Sequence, residues 1–191
     1  MKKGRKTKHL PWCELAPLIG QMRKDKNRLH LLCTIMALLG LRVSDALNLT
    51  WEDLLSNAEL TIIERKTKKK RTMRVNASLR QSVEDESGIV FNRNKKELIF
   101  LNRHATGPIS VSYVNRMLKK SFKKYGVEAE QVSSHLLRKS WAYKILEDND
   151  FSDKAIFTIS RMMNHGKVST TMLYLDLDQR ESNEIYESLK L

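Results

Sequence analysis

The chain has 191 residues, the size of one ordinary domain or of one domain with an appendage. Hydrophobic residues make up 41%, so a real core can be buried, while Gly 7 and Pro 3 are too few for collagen-like, linker-rich or turn-dense all-β architectures. Lys+Arg 35 against Asp+Glu 22 leaves a net charge of +13, which points to a polyanionic partner, most often nucleic acid.

Cys13 and Cys33 form no CxxC pair, which excludes a disulfide framework and a zinc ribbon and suits a reducing cytosol. The longest apolar stretch, Leu31 to Leu41, is broken by Thr34 and falls short of the ~20 residues a bilayer span needs. Residues 1–9 read as a solvated basic arm carrying Lys2, Lys3, Arg5, Lys6 and Lys8. The arm leads into Leu10-Pro11-Trp12 without an apolar run, so no secretion signal is expected and a cytoplasmic location is.

Leu15, Leu18, Ile19 and Met22 recur at helical spacing, with Pro17 predicting a late start or a bend. Arg28 to Leu39 is apolar on nearly every side and predicts a buried helix stopped by Gly40. Ser44 is positioned to cap a short helix through Leu49, with Asp45 in its first turn. The period then changes. Leu60–Ile63 and Thr72–Val75 are β-rich runs joined by Arg65-Lys66-Thr67-Lys68-Lys69-Lys70-Arg71, which predicts a two- or three-stranded antiparallel unit with a cationic connection.

Residues 78–86 suggest another helix, and Leu98–Leu101 a short strand or a buried loop. Val114, Met117, Leu118 and Phe122 mark a helix with Ser110 or Ser112 as its cap. In the last third, Leu137, Trp141 and Ile145 step by four. Ser152 can cap a helix bearing Ile156, Ile159 and Met163, Gly166 should break it, and Ser169 should start the next. Residues 179–189 form a final amphipathic candidate. The expected fold class is α+β, mainly α-helical with a small antiparallel β-sheet: the arm over 1–9, then one domain over 10–191.

Three segments could carry chemistry. Arg42, in Gly40-Leu41-Arg42-Val43-Ser44-Asp45, lies between a buried helix and the next helix start, a junction that can aim a side chain from a rigid base. By itself it reads equally as a helix-end arginine paired with Asp45. His135 and Arg138 are three apart and share a helix face. A histidine exchanges protons near neutral pH, and a guanidinium fork matches phosphate oxygens. By themselves they could simply flank a Leu-Leu-Trp core face. His165-Gly166 precedes Ser169-Thr170-Thr171 and then Tyr174, which alone would be an ordinary core tyrosine.

Taken together, in this order and with these spacings, the segments resemble the catalytic box of the tyrosine recombinases, the phage-integrase family. The matching pieces are Gly-Leu-Arg-x-Ser-Asp around Arg42, Lys66 in Arg-Lys-Thr-Lys, His135-x-x-Arg138, and His165 nine residues before Tyr174. The likeness covers residues 10 to 180. It implies a site-specific DNA recombinase that works through a covalent 3′-phosphotyrosyl intermediate, without cofactor or metal. By resemblance, Tyr174 is the nucleophile, Arg42 and Arg138 clamp the phosphate, His135 is an acid/base and His165 a donor to the phosphate. Lys66 is the proton source for the leaving oxygen. Lys68, Lys69, Lys70 and Arg71 are expected to contact DNA, and Asp45 to orient Arg42 or cap its helix.

The implied partners are double-stranded DNA and further copies of the chain, with residues 179–189 as a segment that could dock on a neighbour or on its own core. The usual Leu-Gly-His of the family is Met163-Asn164-His165 here. The first motif arrives at residue 42, which leaves no room for the separate N-terminal domain of many relatives and predicts a weaker, more salt-sensitive grip on DNA. A type IB topoisomerase uses a closely similar residue set, but the short His165–Tyr174 spacing fits a recombinase better. A non-catalytic DNA-binding protein suits the charge but leaves the reactive residues unexplained.

Overall fold

The computed structural model describes residues 8–56, 58–88, 95–177 and 187–188. Helix α1 (Trp12–Lys24) begins directly after Pro11 and runs through Pro17, so it starts before that proline and not after it. Burial of Leu15, Leu18 and Met22 on one face sustains it, and Pro17 stands on the exposed side. Helix α2 (His30–Leu39) is buried on almost every side and packs against α1. It ends at Gly40, which donates the last helical N–H to the Met36 carbonyl and, with φ of +58°, turns the chain out of the helix. A Cβ at Gly40 would lie 2.3 Å from the Trp141 ring, so backbone sign and close packing both require glycine there.

Helix α3 (Val43–Ala46) differs from expectation at its start. Arg42 holds the N-cap position in extended backbone without a side-chain cap, and Ser44 lies inside the first turn. Helix α4 (Trp51–Leu55) was not anticipated from periodicity. It carries a reciprocal cap: Thr50 Oγ accepts from the Asp53 N–H, and the Asp53 carboxylate accepts from the Thr50 N–H at 2.8 Å. The Thr-x-x-Asp spacing is the signal that could have found it.

Strands β1 (Glu59–Ile63) and β2 (Lys70–Arg74) form an antiparallel pair, with Glu59 opposite Arg74 and Ile63 opposite Lys70. Among the described residues no third strand joins them; Thr50–Leu98 and Leu101–Pro108 are isolated bridges that tie down the segment foreseen as strand or loop. Leu60 and Ile62 point inward on β1, opposite Met73 and Arg71 on β2. Because side chains alternate, Glu64 continues the inward row just beyond β1.

Helix α5 (Ala77–Gly88) packs on α2 and α4. Helix α6 (Val111–Lys124) is capped by Ser110, not Ser112. Helix α7 (Ser134–Glu147) follows. The chain divides into two compact units between Trp141 and Ala142. The large hydrophobic core, centred on Leu32, Ile35, Met36 and Leu118, belongs to the first.

In the second unit, α8 (Asp153–Met162) is capped by Ser152 as expected and packs against α9 (Val168–Leu175). The chain reverses at Asn164, with φ of +56°, before Gly166 is reached. Lys167, not Ser169, precedes α9. The basic arm, apart from Lys8 and His9, and the 179–189 helix, apart from residues 187–188, lie outside the described residues. Among the described residues no helix is long and apolar enough to cross a membrane.

Candidate active site

The first unit fixes three of the sequence-predicted residues, Arg42, Arg71 and Arg138, on buried acceptors. Arg42 leaves the α2–α3 junction with its side chain 17% exposed and pairs with Glu64 Oε2 at 2.8 Å. Arg138, one turn into α7, is 3% exposed, and its Nη1 donates to the Gly40 carbonyl at 2.6 Å. That carbonyl closes α2, where the helix dipole concentrates negative charge and favours a cation. An arginine held this way is not the surface residue that the motif alone allowed.

The hairpin connection is folded onto α3. Asp45 Oδ1 accepts from the Arg65 backbone N–H at 2.9 Å, and the Arg65 guanidinium donates to Asn48 Oδ1 at 2.9 Å. Asp45 therefore fastens the loop bearing Lys66 and caps no helix. The loop closes on itself through Lys68 N–H to the Glu64 carbonyl at 2.8 Å and Glu64 N–H to the Lys69 carbonyl at 2.9 Å, with Lys68 in the left-handed region. Lys66, Lys68, Lys69 and Lys70 are exposed.

Arg71 departs from that group. It lies on the inward face of β2, 6% exposed, and donates to the carbonyls of Leu39 at 2.6 Å and Gly40 at 3.3 Å. Its guanidinium sits 5.7 Å from the Trp141 ring centroid. Arg71 was expected to contact DNA together with the lysines; the two-residue period of the strand instead turns it inward, away from the exposed Lys70 beside it. Burial first, then the positive charge of Arg138, lower its pKa to about 10, against the pull of Glu64. It remains protonated at neutral pH.

His135 stands one helical turn before Arg138. Its pKa is held below the ordinary 6.5, first by desolvation and then by the positive charges of Arg138, Lys66, Lys139 and Arg42. At neutral pH the imidazole is consequently uncharged and able to accept a proton. The same interactions show that Lys66, His135, Arg138 and Arg42 share one electrostatic neighbourhood. Sequence reasoning missed Glu64, which is fully buried and accepts from Thr67 Oγ1 at 2.6 Å. A lone carboxylate at a strand end, before seven residues dominated by cations, was the available signal.

In the second unit, His165 and Tyr174 are brought together, ring centroids 6.0 Å apart and planes at 76°. His165 follows the left-handed Asn164, whose N–H bonds the Arg161 carbonyl. Asparagine tolerates this conformation better than other residues with a Cβ, which is why it can stand where the family pattern has glycine. The Nδ1 atom of His165 lies 2.8 Å from the hydroxyl of fully buried Thr171. With Thr171 donating, the ring proton sits on Nε2, which is then a donor. Thr171 was seen in the sequence only as part of a helix lead-in. Among the described residues no group of three or more His, Cys, Asp or Glu side chains could hold a metal ion.

The sequence model of the phage integrase family matches residues 10–181. A probable integrase/recombinase of Bacillus subtilis, YoeC, is 29% identical over 77% of this chain and 76% of its own length. Tyrosine recombinase XerC of Caldanaerobacter subterraneus is 28% identical over 83% of this chain, which spans only 44% of that protein. A crystal structure of XerH site-specific recombinase, bound to palindromic difH substrate in a post-cleavage complex, superposes with a TM-score of 0.70 at 22% identity, over 96% of this chain and 54% of that one. That likeness establishes a shared fold.

Proposed function

The chain belongs to the phage integrase family, and from that premise we propose that it is a tyrosine-type site-specific recombinase, cleaving and rejoining DNA through a 3′-phosphotyrosyl intermediate. The observation that carries the reading is that Arg42 and Arg138 are fixed on buried acceptors beside His135, whose pKa burial first, and then the charges of Arg138, Lys66, Lys139 and Arg42, hold below the ordinary value. The net charge of +13 suits a duplex DNA partner.

A phosphodiester is already anionic, and attack concentrates further charge in a pentacoordinate transition state. Guanidinium groups fixed in advance stabilise that charge without reorganising. Arg42 and Arg138, each tied to a buried acceptor, supply them. The Tyr174 hydroxyl, with a free pKa of about 10, needs a proton acceptor to become a nucleophile. His135 takes that proton. Tyr174 Oη bonds to phosphorus, the bond to the 5′-oxygen breaks, and Lys66 delivers a proton to the departing oxygen. His165 donates through Nε2 to a non-bridging oxygen.

In the second half of the reaction a 5′-hydroxyl from another strand attacks phosphorus, Lys66 recovers a proton and tyrosine leaves with one from His135. The phosphodiester energy is conserved, so no ATP enters. Lys68, Lys69 and Lys70 contact the DNA backbone, whose phosphates they can neutralise from the exposed loop. Exchange between two duplexes requires several protomers. The setting is the cytoplasm, on DNA of a mobile element.

The test is recovery of DNA linked to protein under denaturing conditions. Fragments flanking the gene are incubated with the protein, the 3′ ends are mapped, and the mapped site is rebuilt as a duplex nicked close to the cleavage point so that the adduct is trapped. The wild type should accumulate adduct and Tyr174→Phe none. Adduct formation by Tyr174→Phe would remove Tyr174 as nucleophile, and its absence with the wild type on every fragment would sink the recombinase reading.

A further inference from the structure

Arg42 and Arg138 are joined by a chain of buried polar contacts. Arg42 Nη1 meets Glu64 Oε2 at 2.8 Å, and Glu64 Oε1 faces Arg71 Nη1 at 3.9 Å. Arg71 spans the last two carbonyls of α2, Leu39 and Gly40, and the Gly40 carbonyl also receives Arg138 at 2.6 Å. Glu64 is 0% exposed. Three guanidinium groups in one interior would repel one another and pay for desolvation singly; a buried carboxylate and two helix-terminal carbonyls offset both.

From this geometry we infer that Glu64 and Arg71 are positioning residues that set the two phosphate-facing arginines as one unit, Glu64 through Arg42 and Arg71 through the carbonyl it shares with Arg138. The inference rests on the roles proposed above for Arg42 and Arg138. Thr67 fits the same scheme. Its hydroxyl donates to Glu64 Oε2 at 2.6 Å, so the residue after Lys66 helps fix the carboxylate that fixes Arg42. The loop bearing the proton donor and the clamp for the phosphate are thereby locked to one carboxylate.

Positioning of this kind acts on charge in the transition state, and that supplies a readout a structural role would not move. Single-turnover adduct formation is measured for Glu64→Gln on the trapped nicked duplex, and again on the same duplex carrying an uncharged methylphosphonate at the scissile position. Glu64→Gln should slow adduct formation on the phosphodiester by about 30- to 300-fold, the scale of losing one preorganised donor. DNA affinity should change less than about threefold, because charge on the protein is not reduced. On the methylphosphonate, where there is less anionic charge to stabilise, the gap from wild type should narrow at least tenfold.

Because neutralising a carboxylate among buried arginines endangers folding, Glu64→Asp serves as the second variant. It keeps the charge while withdrawing the carboxylate from Arg42, and should show a smaller loss with the same dependence on substrate charge. Wild-type rates in both variants would overturn the inference, as would equal losses on the two substrates, which would assign the pair a purely structural role. Failure of the wild type itself to form adduct on any DNA is a different result, and it would fell the recombinase reading on which the inference stands.

Discussion

Arg42 and Arg138 in the first unit, and His165 and Tyr174 in the second, are held by different means. The two arginines are anchored to the interior: a fully buried carboxylate, the carbonyl end of α2, and a glycine against which Trp141 packs too closely to admit a Cβ. The tyrosine rides on a helix of 8 residues packed against α8, with Leu173 beside it 59% exposed, and the Nδ1 atom of its histidine meets the Thr171 hydroxyl. Groups that stabilise charge profit from rigidity, since reorganising them during the reaction would forfeit their advantage. A nucleophile that becomes bonded to the DNA must follow the phosphate, and a helix of 8 residues is a small element to move. The contrast agrees with the division of labour proposed for the two sets.

The sharpest way to break the contrast is at Gly40. Gly40→Ala adds left-handed strain and drives a methyl group into the Trp141 ring, with an expected loss on the order of 3 kcal/mol or more. The same shift displaces the carbonyl that holds Arg71 and Arg138. Chemical denaturation and adduct formation should therefore fail together. A stable Gly40→Ala protein with full activity would mean that the first unit is not rigid where it is described as rigid.

A smaller effect is expected in the second unit. Ser152→Ala removes the hydroxyl that accepts the Ala155 N–H at the start of α8, at a cost of about 1 kcal/mol. Hydrogen exchange should quicken in α8 and leave α2 unchanged. Equal quickening in both helices would show that the two units open as one.

The gentlest probe is pH. Folding lowers the His135 pKa below 6.5, so the unfolded chain accepts a proton that the folded chain resists. The stability associated with neutral His135 is complete above the unfolded value and falls as pH drops through the window beneath it. Relative to His135→Gln, the wild type should lose stability on acidification, and the His135 ring signals should titrate below those of the denatured chain. Titration at or above the ordinary value would place the imidazole outside the cationic cluster.

Much of the fold was legible because its signals are local. Serines 110 and 152 cap the helices they precede, Gly40 ends α2, and the change of period near residue 60 marks the hairpin. Local signals misled where two residues competed for one task. Ser44 and Ser169 resemble caps, yet both lie inside helices, because the chain enters α3 and α9 one or two residues earlier. Gly166 looked like the break after α8, but Asn164 makes the turn, since its backbone is the first that can adopt the left-handed conformation there without severe strain.

By itself the sequence determined most of the helices, the hairpin, the family and the identities of the motif residues, since motif spacing and periodicity are properties of the chain in one dimension. Tertiary structure alone decided that Arg71 faces inward while Lys70 faces water, that Glu64 meets Arg42, and that one carbonyl serves two arginines. Alternation along a strand says which residues share a side; which side meets the interior is settled only when the strand is paired and laid against α2, and the contacts that orient the arginines join residues up to 98 positions apart.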